Sequence, residues 1–484
     1  MNSICLMQNV VMIMNYLIDY DKTDPKSIEK YAQGLIDLSF LDVLNGYPVS
    51  EVKEDNPEYA RTHEDKNFKG SLGNLIEEKY FHYKANSDSR ADFPEAGVEL
   101  KVSPYKIASD GSYVAKERLV LTMIDYFSII NESFEESHLW NKSRLILLVY
   151  YLYRPQIKNK LLYTINYAKL FTPPDQDKRI IMHDFYTIRD KIAAGLAHEL
   201  SEGDTLYLGA ATKAATSADR RKQPNSTELA KPRAFSYKNS YMTYVLNTYI
   251  IPGKDTYETI VADGVVDDFE SYVISKIAEY RGKSVKQLCD MFSLDVSKKP
   301  KNLEAILTYK MLGIIGNRAE EFEKANIVCK VIRIGKNDKI KENMSFPTFK
   351  FTELVEEEWD DSTFGNYLRE TRFFFVVFKE DANGELRVNG SQFWNIPYEV
   401  LENEVRSVWE KTKRVIKEGL VISEVNGKRT NNLPKQKDNR VCHVRPHANN
   451  AEDTYDLPDG RRYTKQCFWL NNSFIYSQLN EELR

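Results

Sequence analysis

The stretch from Asp92 to Lys101, DFPEAGVELK, decides how the rest of the chain is read. Its second half alternates in polarity with the valine that follows. Val98, Leu100 and Val102 fall on one face of an extended strand, and Glu99 and Lys101 on the other. Asp92 precedes Glu99 across FPEAG, whose proline and glycine favour a turn, so its carboxylate is expected to return beside Glu99. Two carboxylates so placed suit a hard cation. Magnesium takes oxygen ligands, keeps several waters and is held by one or two carboxylates together with phosphate oxygens. The Leu100 carbonyl is a further candidate ligand. Lys101 is placed to orient or help deprotonate an attacking water and to offset the charge that develops at phosphorus. Alone, a D-x6-E-x-K pattern is weak, and an exposed edge strand with a surface ion pair fits it equally well.

The segment upstream adds a third acid. KGSLGNLIEEKYFHY (69–83) reads as a helix with Leu72, Leu75 and Ile76 on its buried face and Glu77 at the inner edge. A helix with a glutamate, then a loop, then a strand carrying Asp and Glu-x-Lys is the plan of magnesium nucleases of the PD-(D/E)xK type. The blocks GSLGNLIEE, ADFPEAGVELKVSP, AKERLVL, AHELSEGDTLYL and RAFSYKNSYMT, with NMSF, CHVRPHANN and QCFWLNN far downstream, carry a more specific likeness. The chain resembles the MutH-like endonucleases. Residues 26 to 250 are similar to their single-domain members, and the whole remainder to the longer restriction endonucleases of the Sau type. The resemblance implies double-stranded DNA as partner, recognition of GATC with cutting before the G, and magnesium as cofactor. It implies Glu77, Asp92, Glu99 and Lys101 as the active-site acids and lysine. It also implies Lys213 as the residue that reads the major groove, and Lys142, Arg233 and Lys238 as contacts to the DNA backbone.

The chain also repeats itself. VELKV (98–102) pairs with IVCKV (327–331), AKERLVL with IKENMSF, NKSRLILLVY with ETRFFFVVFK, GAATKAATS with HVRPHANNA, and KPRAFSYKNSYM with YTKQCFWLNNSF, all in the same order. Where the first copy has Glu99 the second has Val328, although Lys330 and an acid at Glu321 persist. A site without that carboxylate lacks a main ligand, so the second copy is expected to be catalytically dead. Arg445, His447 and Lys465 stand near the family's DNA-contact positions, which makes the second copy a DNA-binding or regulatory domain.

The expected fold is α/β: two tandem restriction-endonuclease-like domains, each a mixed sheet flanked by helices. Residues 1–25 form an N-terminal extension, 26–250 the catalytic domain, 251–265 a linker rich in turn formers, and 266–484 the second domain. Strands are expected near 97–103, 118–125, 143–152 and 204–209, and helices near 27–43, 70–83, 184–201, 237–248 and 266–281. The 484 residues are 42% hydrophobic and 29% charged, which supports packed cores rather than disorder. Five scattered cysteines with no CxxC pair fit a reduced, cytoplasmic setting without structural zinc. The apolar stretch CLMQNVVMIMNYLI reads as a helix, being too short for a membrane span and lacking the flanks of a signal peptide.

A net charge of −4 hides a basic stretch at 212–238, which is a solvated face or a surface for phosphates. Pro446 and strand alternation set Cys442, His443 and His447 apart, which favours packing or nucleic-acid contact over a metal site. No nucleotide-binding fingerprint is visible, so no ATP is expected. Cutting both strands of a palindrome calls for two chains on DNA. A nicking or non-catalytic GATC-binding protein of the mismatch-repair kind is the alternative.

Overall fold

The computed structural model describes residues 20–46, 71–83, 90–108, 111–214, 216, 218–251, 257–261, 266–294, 300, 302–425 and 428–484. The apolar stretch from Cys5 to Ile18 and most of the expected linker lie outside them. The chain divides into two compact units. One holds 1–200 and 205–256, the other 201–204 and 257–484.

In the first unit, helices α1 (Pro25–Ala32), α2 (Phe40–Asn45) and α3 (Ser71–Leu75) precede the strands. A four-stranded sheet has the order β2 (Tyr113–Ala115), β1 (Glu99–Ile107), β4 (Ile146–Leu152), β5 (Ile165–Phe171). Only β1 and β4 run parallel. The run Ile146 to Tyr150 is fully buried, as expected of a parallel strand covered on both faces. Val98 and Leu100 pack into the same core as Leu72, Leu75 and Ile76, which fixes the other face of β1 as the one that carries Glu99 and Lys101. A second, antiparallel sheet has the order β3 (Leu119–Met123), β7 (Arg233–Tyr237), β6 (Leu208–Thr212). Helices α4 (His138–Ser143), α5 (Asp175–Ala193) and α6 (Asn239–Val245) complete the unit.

The second unit opens with α7 (Phe269–Ala278) and includes α8 (Glu320–Ala325). Its main sheet has the order β11 (Leu386–Trp394), β10 (Arg372–Glu380), β8 (Ile327–Ile334), with β8 and β10 parallel and β11 antiparallel. After β9 (Met344–Phe349) come the hairpins β12 (Ile422–Val425)/β13 (Lys428–Asn431) and β15 (Thr454–Asp456)/β16 (Arg462–Thr464). The other sheet has the order β14 (Cys442–Pro446), β17 (Gln466–Leu470), β9, all antiparallel.

Strand for strand, β1, β3, β4, β5, β6 and β7 recur as β8, β9, β10, β11, β14 and β17 with the same order and direction. Individual bonds recur too. The amide of Lys213 donates to the Pro232 carbonyl as that of His447 does to Lys465, and the amide of Lys238 donates to Tyr207 as that of Asn471 does to Val441. The register shifts two of the repeated blocks. Glu99 lies opposite Ile146 and Val328 opposite Phe373, two residues from the pairing read in the sequence. Tyr237 corresponds to Leu470 rather than Trp469, because Leu119 faces Tyr237 and Met344 faces Leu470.

Several boundaries differ from expectation for local reasons. The helix expected over 27–43 is broken, since Ser39 and Asp42 form a capping box that starts α2 afresh. The one expected over 184–201 begins nine residues earlier, with Asp175 and Asp177 in its first turn, and is followed by Gly195 at φ +79°. A Cβ at Gly195 would lie 2.6 Å from the Asn225 carbonyl oxygen. Among the described residues no helix is long and apolar enough to cross a membrane.

Candidate active site

The turn before β1 brings the acids together. Phe93 and Val98 exchange backbone hydrogen bonds at 2.9 and 3.2 Å, closing the FPEAG loop. Gly97 sits at φ +64°, where a Cβ would lie 2.8 Å from Arg144 Nη2, so the position demands glycine. Asp92 is thereby carried alongside β1, and its Oδ2 accepts the Leu100 amide at 2.8 Å.

Glu99 is the centre of the cluster. It is 2% exposed, Lys101 Nζ donates to its Oε1 at 2.7 Å, and Lys142 Nζ from α4 stands 3.6 Å from the same oxygen. Its other oxygen, Oε2, is buried and has no hydrogen-bond partner. Burial raises the Glu99 carboxyl above the usual range and Asp92 adds to this, while Lys101 and Lys142 oppose it. Glu77 lies on the π-helical turn Ile76–Tyr80 that continues α3. Desolvation, then the Asp92 charge, pushes its carboxyl up to about 7, with Lys101 acting the other way. Asp92, Glu99 and Lys101, all named from the sequence, thus lie close enough to act on the Glu77 carboxyl.

Magnesium fits this donor set. An orphaned carboxylate oxygen in a buried site is the group a cation satisfies, and Asp92 and Glu99 supply the one or two carboxylates that magnesium uses. Among the described residues no group of three or more His, Cys, Asp or Glu is arranged to hold a metal, so a fuller protein cage of the zinc or calcium kind has no support here.

Glu77 carries a testable consequence. Its proton is held in the native state up to about 7 but is released near the ordinary carboxyl value once the chain unfolds. Stability from that proton is complete at acid pH and is lost as the pH rises through about 7. Glu77→Gln removes this slope. In EDTA, the melting temperature of the variant is expected to gain on the wild type as pH is raised from acid through neutrality, then to hold level. Parallel curves for the two proteins would exclude the shift.

The remaining positions divide. Lys213 follows β6 and is exposed. Lys142, expected on the DNA backbone, faces the acid cluster instead. Arg233 and Lys238 are corrections to the expected contacts. Arg233 is 8% exposed and donates to the carbonyls of Ala210 and Leu200 at 3.0 and 2.6 Å; Lys238 is 3% exposed and bonds the Thr205 carbonyl. Buried cations held by carbonyls brace β6 and β7 rather than meet a solvent-side ligand.

Asp184 on α5 belongs to the same frame. Its carboxylate accepts the amides of Leu206, Tyr207 and Leu208, holding the chain where β6 begins. This delays the strand expected at 204–209 to 208–212. The sequence signal was available: Asp184 interrupts the apolar stripe Ile180, Ile181, Phe185, Ile188 on the buried face of α5.

In the second unit, Val328 stands at the place of Glu99, and Glu321 is turned away to accept the amides of Ile260 and Val261. The second unit therefore lacks both carboxylates at this position, which corrects the expectation that Glu321 persists as a site acid. His447 falls at the register position of Lys213. Arg445 stacks on Trp469 at 4.5 Å, and the His447 ring lies 5.4 Å from the same indole. Lys465 is paired with Asp453 at 2.5 Å. His443 is buried, with Nδ1 2.6 Å from Asn471 Oδ1, and burial lowers its pKa.

A family model described as the DNA mismatch repair enzyme MutH matches residues 81–184, which include Asp92, Glu99, Lys101 and Lys142 but not Glu77. The chain is 37% identical over 468 residues to the type II restriction enzyme Sau3AI of Staphylococcus aureus, a match covering 86% of this chain and 94% of that enzyme.

Proposed function

The chain belongs to the MutH-like restriction endonucleases, and we propose that within them it is a magnesium-dependent type II enzyme that hydrolyses both strands of DNA at GATC, before the G. The observation that carries the reading is the convergence of Glu77, Asp92, Glu99 and Lys101 at the edge of β1, with Glu99 Oε2 left without a partner. When bound there, magnesium supplies a Lewis acid for the phosphate and lowers the pKa of an attacking water.

The chain's own groups do the rest. Asp92, oriented by the Leu100 amide, and Glu99 hold the cation, with the Leu100 carbonyl as a third oxygen. Lys101 keeps the buried Glu99 ionised and stands where charge builds on the phosphorane, with Lys142 as a second cation beside it. Glu77, with a carboxyl near 7, is placed to take up a proton close to neutral pH.

The repeated topology supports reading residues 266–484 as a second MutH-like domain that binds DNA and does not cut it. Lys213 is assigned to the major groove in the first domain. Arg445 and His447 around Trp469 are assigned to DNA in the second, with Lys465 beside them. A second bound GATC then favours pairing of two catalytic domains if it binds the paired state more tightly.

Supercoiled plasmids carrying one or two GATC sites, with and without magnesium, test this. Linear product that requires both magnesium and GATC is expected, with the two-site plasmid cut faster. Short uncleavable GATC duplex is expected to rescue the one-site case, and Arg445→Ala to abolish that rescue while one-site cutting persists. Nicked circles alone would favour the mismatch-repair alternative, and equal rates on both plasmids would leave the second domain without an effector role.

A further inference from the structure

The second unit retains the lysine of the site after losing its acids. Lys330 occupies on β8 the position of Lys101 on β1, but with Val328 in place of Glu99 no carboxylate is set against it from its own strand. Among the described residues its amine has one hydrogen-bond partner, the Ser345 carbonyl at 3.5 Å, which is a poor bond. Burial pushes this amine below the ordinary lysine range, and the neighbours that act on it are the thiols of Cys329 and Cys467. A half-buried cation without an anion beside it is costly to keep unless something answers it.

The surroundings show what would. Lys330 lines a cavity of about 330 Å³ between β8 and the start of β9. Two further cations, Arg333 and Lys341, stand on its wall. Arg333 reaches Glu304 at 2.7 Å and Glu342 at 3.5 Å, and Lys341 reaches Glu380 at 3.0 Å. Glu342 is 77% exposed and Lys341 67%, so these pairs are held weakly and either cation can turn to a stronger anion. The volume suits a phosphate and the sugar that bears it.

We propose that this cavity is a phosphate site built on Lys330, which takes a backbone phosphate of a DNA duplex and leaves it uncut. The inference rests on the reading that the second unit binds DNA, and adds which group of the DNA it grips and with what. In the first unit Lys101 meets the phosphate to be cleaved. In the second, the same strand position meets an equivalent phosphate with no acid to bind a metal, so the contact is made without chemistry. Affinity is its whole contribution.

The full chain, labelled with ¹³C at lysine Cε and kept in EDTA, provides the test, with the Lys330 resonance identified by its absence in Lys330→Arg. Titration with a short GATC duplex is expected to move that resonance. Lys330→Gln is expected to weaken binding of the second duplex about 10-fold and to lower the salt slope by about one, while Lys330→Arg retains most of the affinity. Melting temperature and cutting of one-site DNA are expected to stay at wild-type values in both variants.

Inorganic phosphate is the second probe. A Lys330 signal that moves with inorganic phosphate but not with duplex would overturn DNA as the source. A signal that neither probe moves, or second-duplex binding by Lys330→Gln with wild-type affinity and salt slope, would overturn the site itself. Loss of GATC cleavage as a whole would show in the plasmid assay and is separate from these readouts, which are taken without metal.

Discussion

Replacing Glu99 by Gln is expected to lower cleavage by about 10³-fold or more, the several kcal/mol that a bound metal lends to the transition state. The substitution keeps the shape of a side chain that is 2% exposed, and keeps an acceptor for Lys101 at the position of Oε1. It removes the charge and replaces the one carboxylate oxygen that has no partner. Binding of a GATC duplex in EDTA is expected to persist, because the groove reader Lys213 and the cations Lys101 and Lys142 remain. Excess magnesium is not expected to restore the rate, since no titratable group is left to be won back from a proton. Near-normal cutting by Glu99→Gln would remove Glu99 from the metal site and with it the reading of the cluster.

The sequence carried this site unusually far because its geometry is local. From Phe93 to Lys101 the chain makes one turn and one strand, and alternation along a strand is fixed by the pleat, so Val98 and Leu100 on the core face require Glu99 and Lys101 on the other. Glu77 was legible for a similar reason, being adjacent to Ile76 on a short helix whose buried face is plain.

What failed depends on long-range packing. Arg233 and Lys238 are basic residues in a basic stretch, and nothing local says that one is drawn to Ala210 and Leu200 and the other to Thr205. The carbonyls that hold them lie more than twenty residues away. Lys142 shows the converse: on sequence grounds a surface contact, it is delivered to Glu99 because β4, which follows α4, pairs in register with β1.

The repeat was readable as ordered blocks but not to the residue, since apolar runs such as FFFVVF slide by two without losing their pattern. Hydrogen-bond register settles the pairing that hydrophobicity leaves open.

Lys101→Ala is expected to reduce cleavage at neutral pH by about 10² to 10³-fold, as removal of one preorganised charge from a transition state does, but the loss has a different signature from that of Glu99→Gln. Burial raises the Glu99 carboxyl, and Lys101, 2.7 Å away, is the foremost influence that lowers it, ahead of Lys142. Without Lys101 the carboxyl rises further, so that at neutral pH a proton competes with magnesium for Glu99. The sign follows: the acid limb of the pH–rate profile moves to higher pH, the magnesium needed for half-maximal rate increases, and part of the loss is recovered as the medium is made more alkaline.

Lys101→Arg divides the lysine's two tasks. Guanidinium restores the charge beside Glu99, so the wild-type pH limb and magnesium dependence are expected to return. Because it does not give up a proton, the maximal rate is expected to stay low if Lys101 also handles the proton of the attacking water. Full recovery of rate by arginine would reduce Lys101 to an electrostatic partner of Glu99. A Lys101→Ala enzyme with an unshifted pH profile and unchanged magnesium requirement would show that the 2.7 Å contact does not govern the ionisation of Glu99.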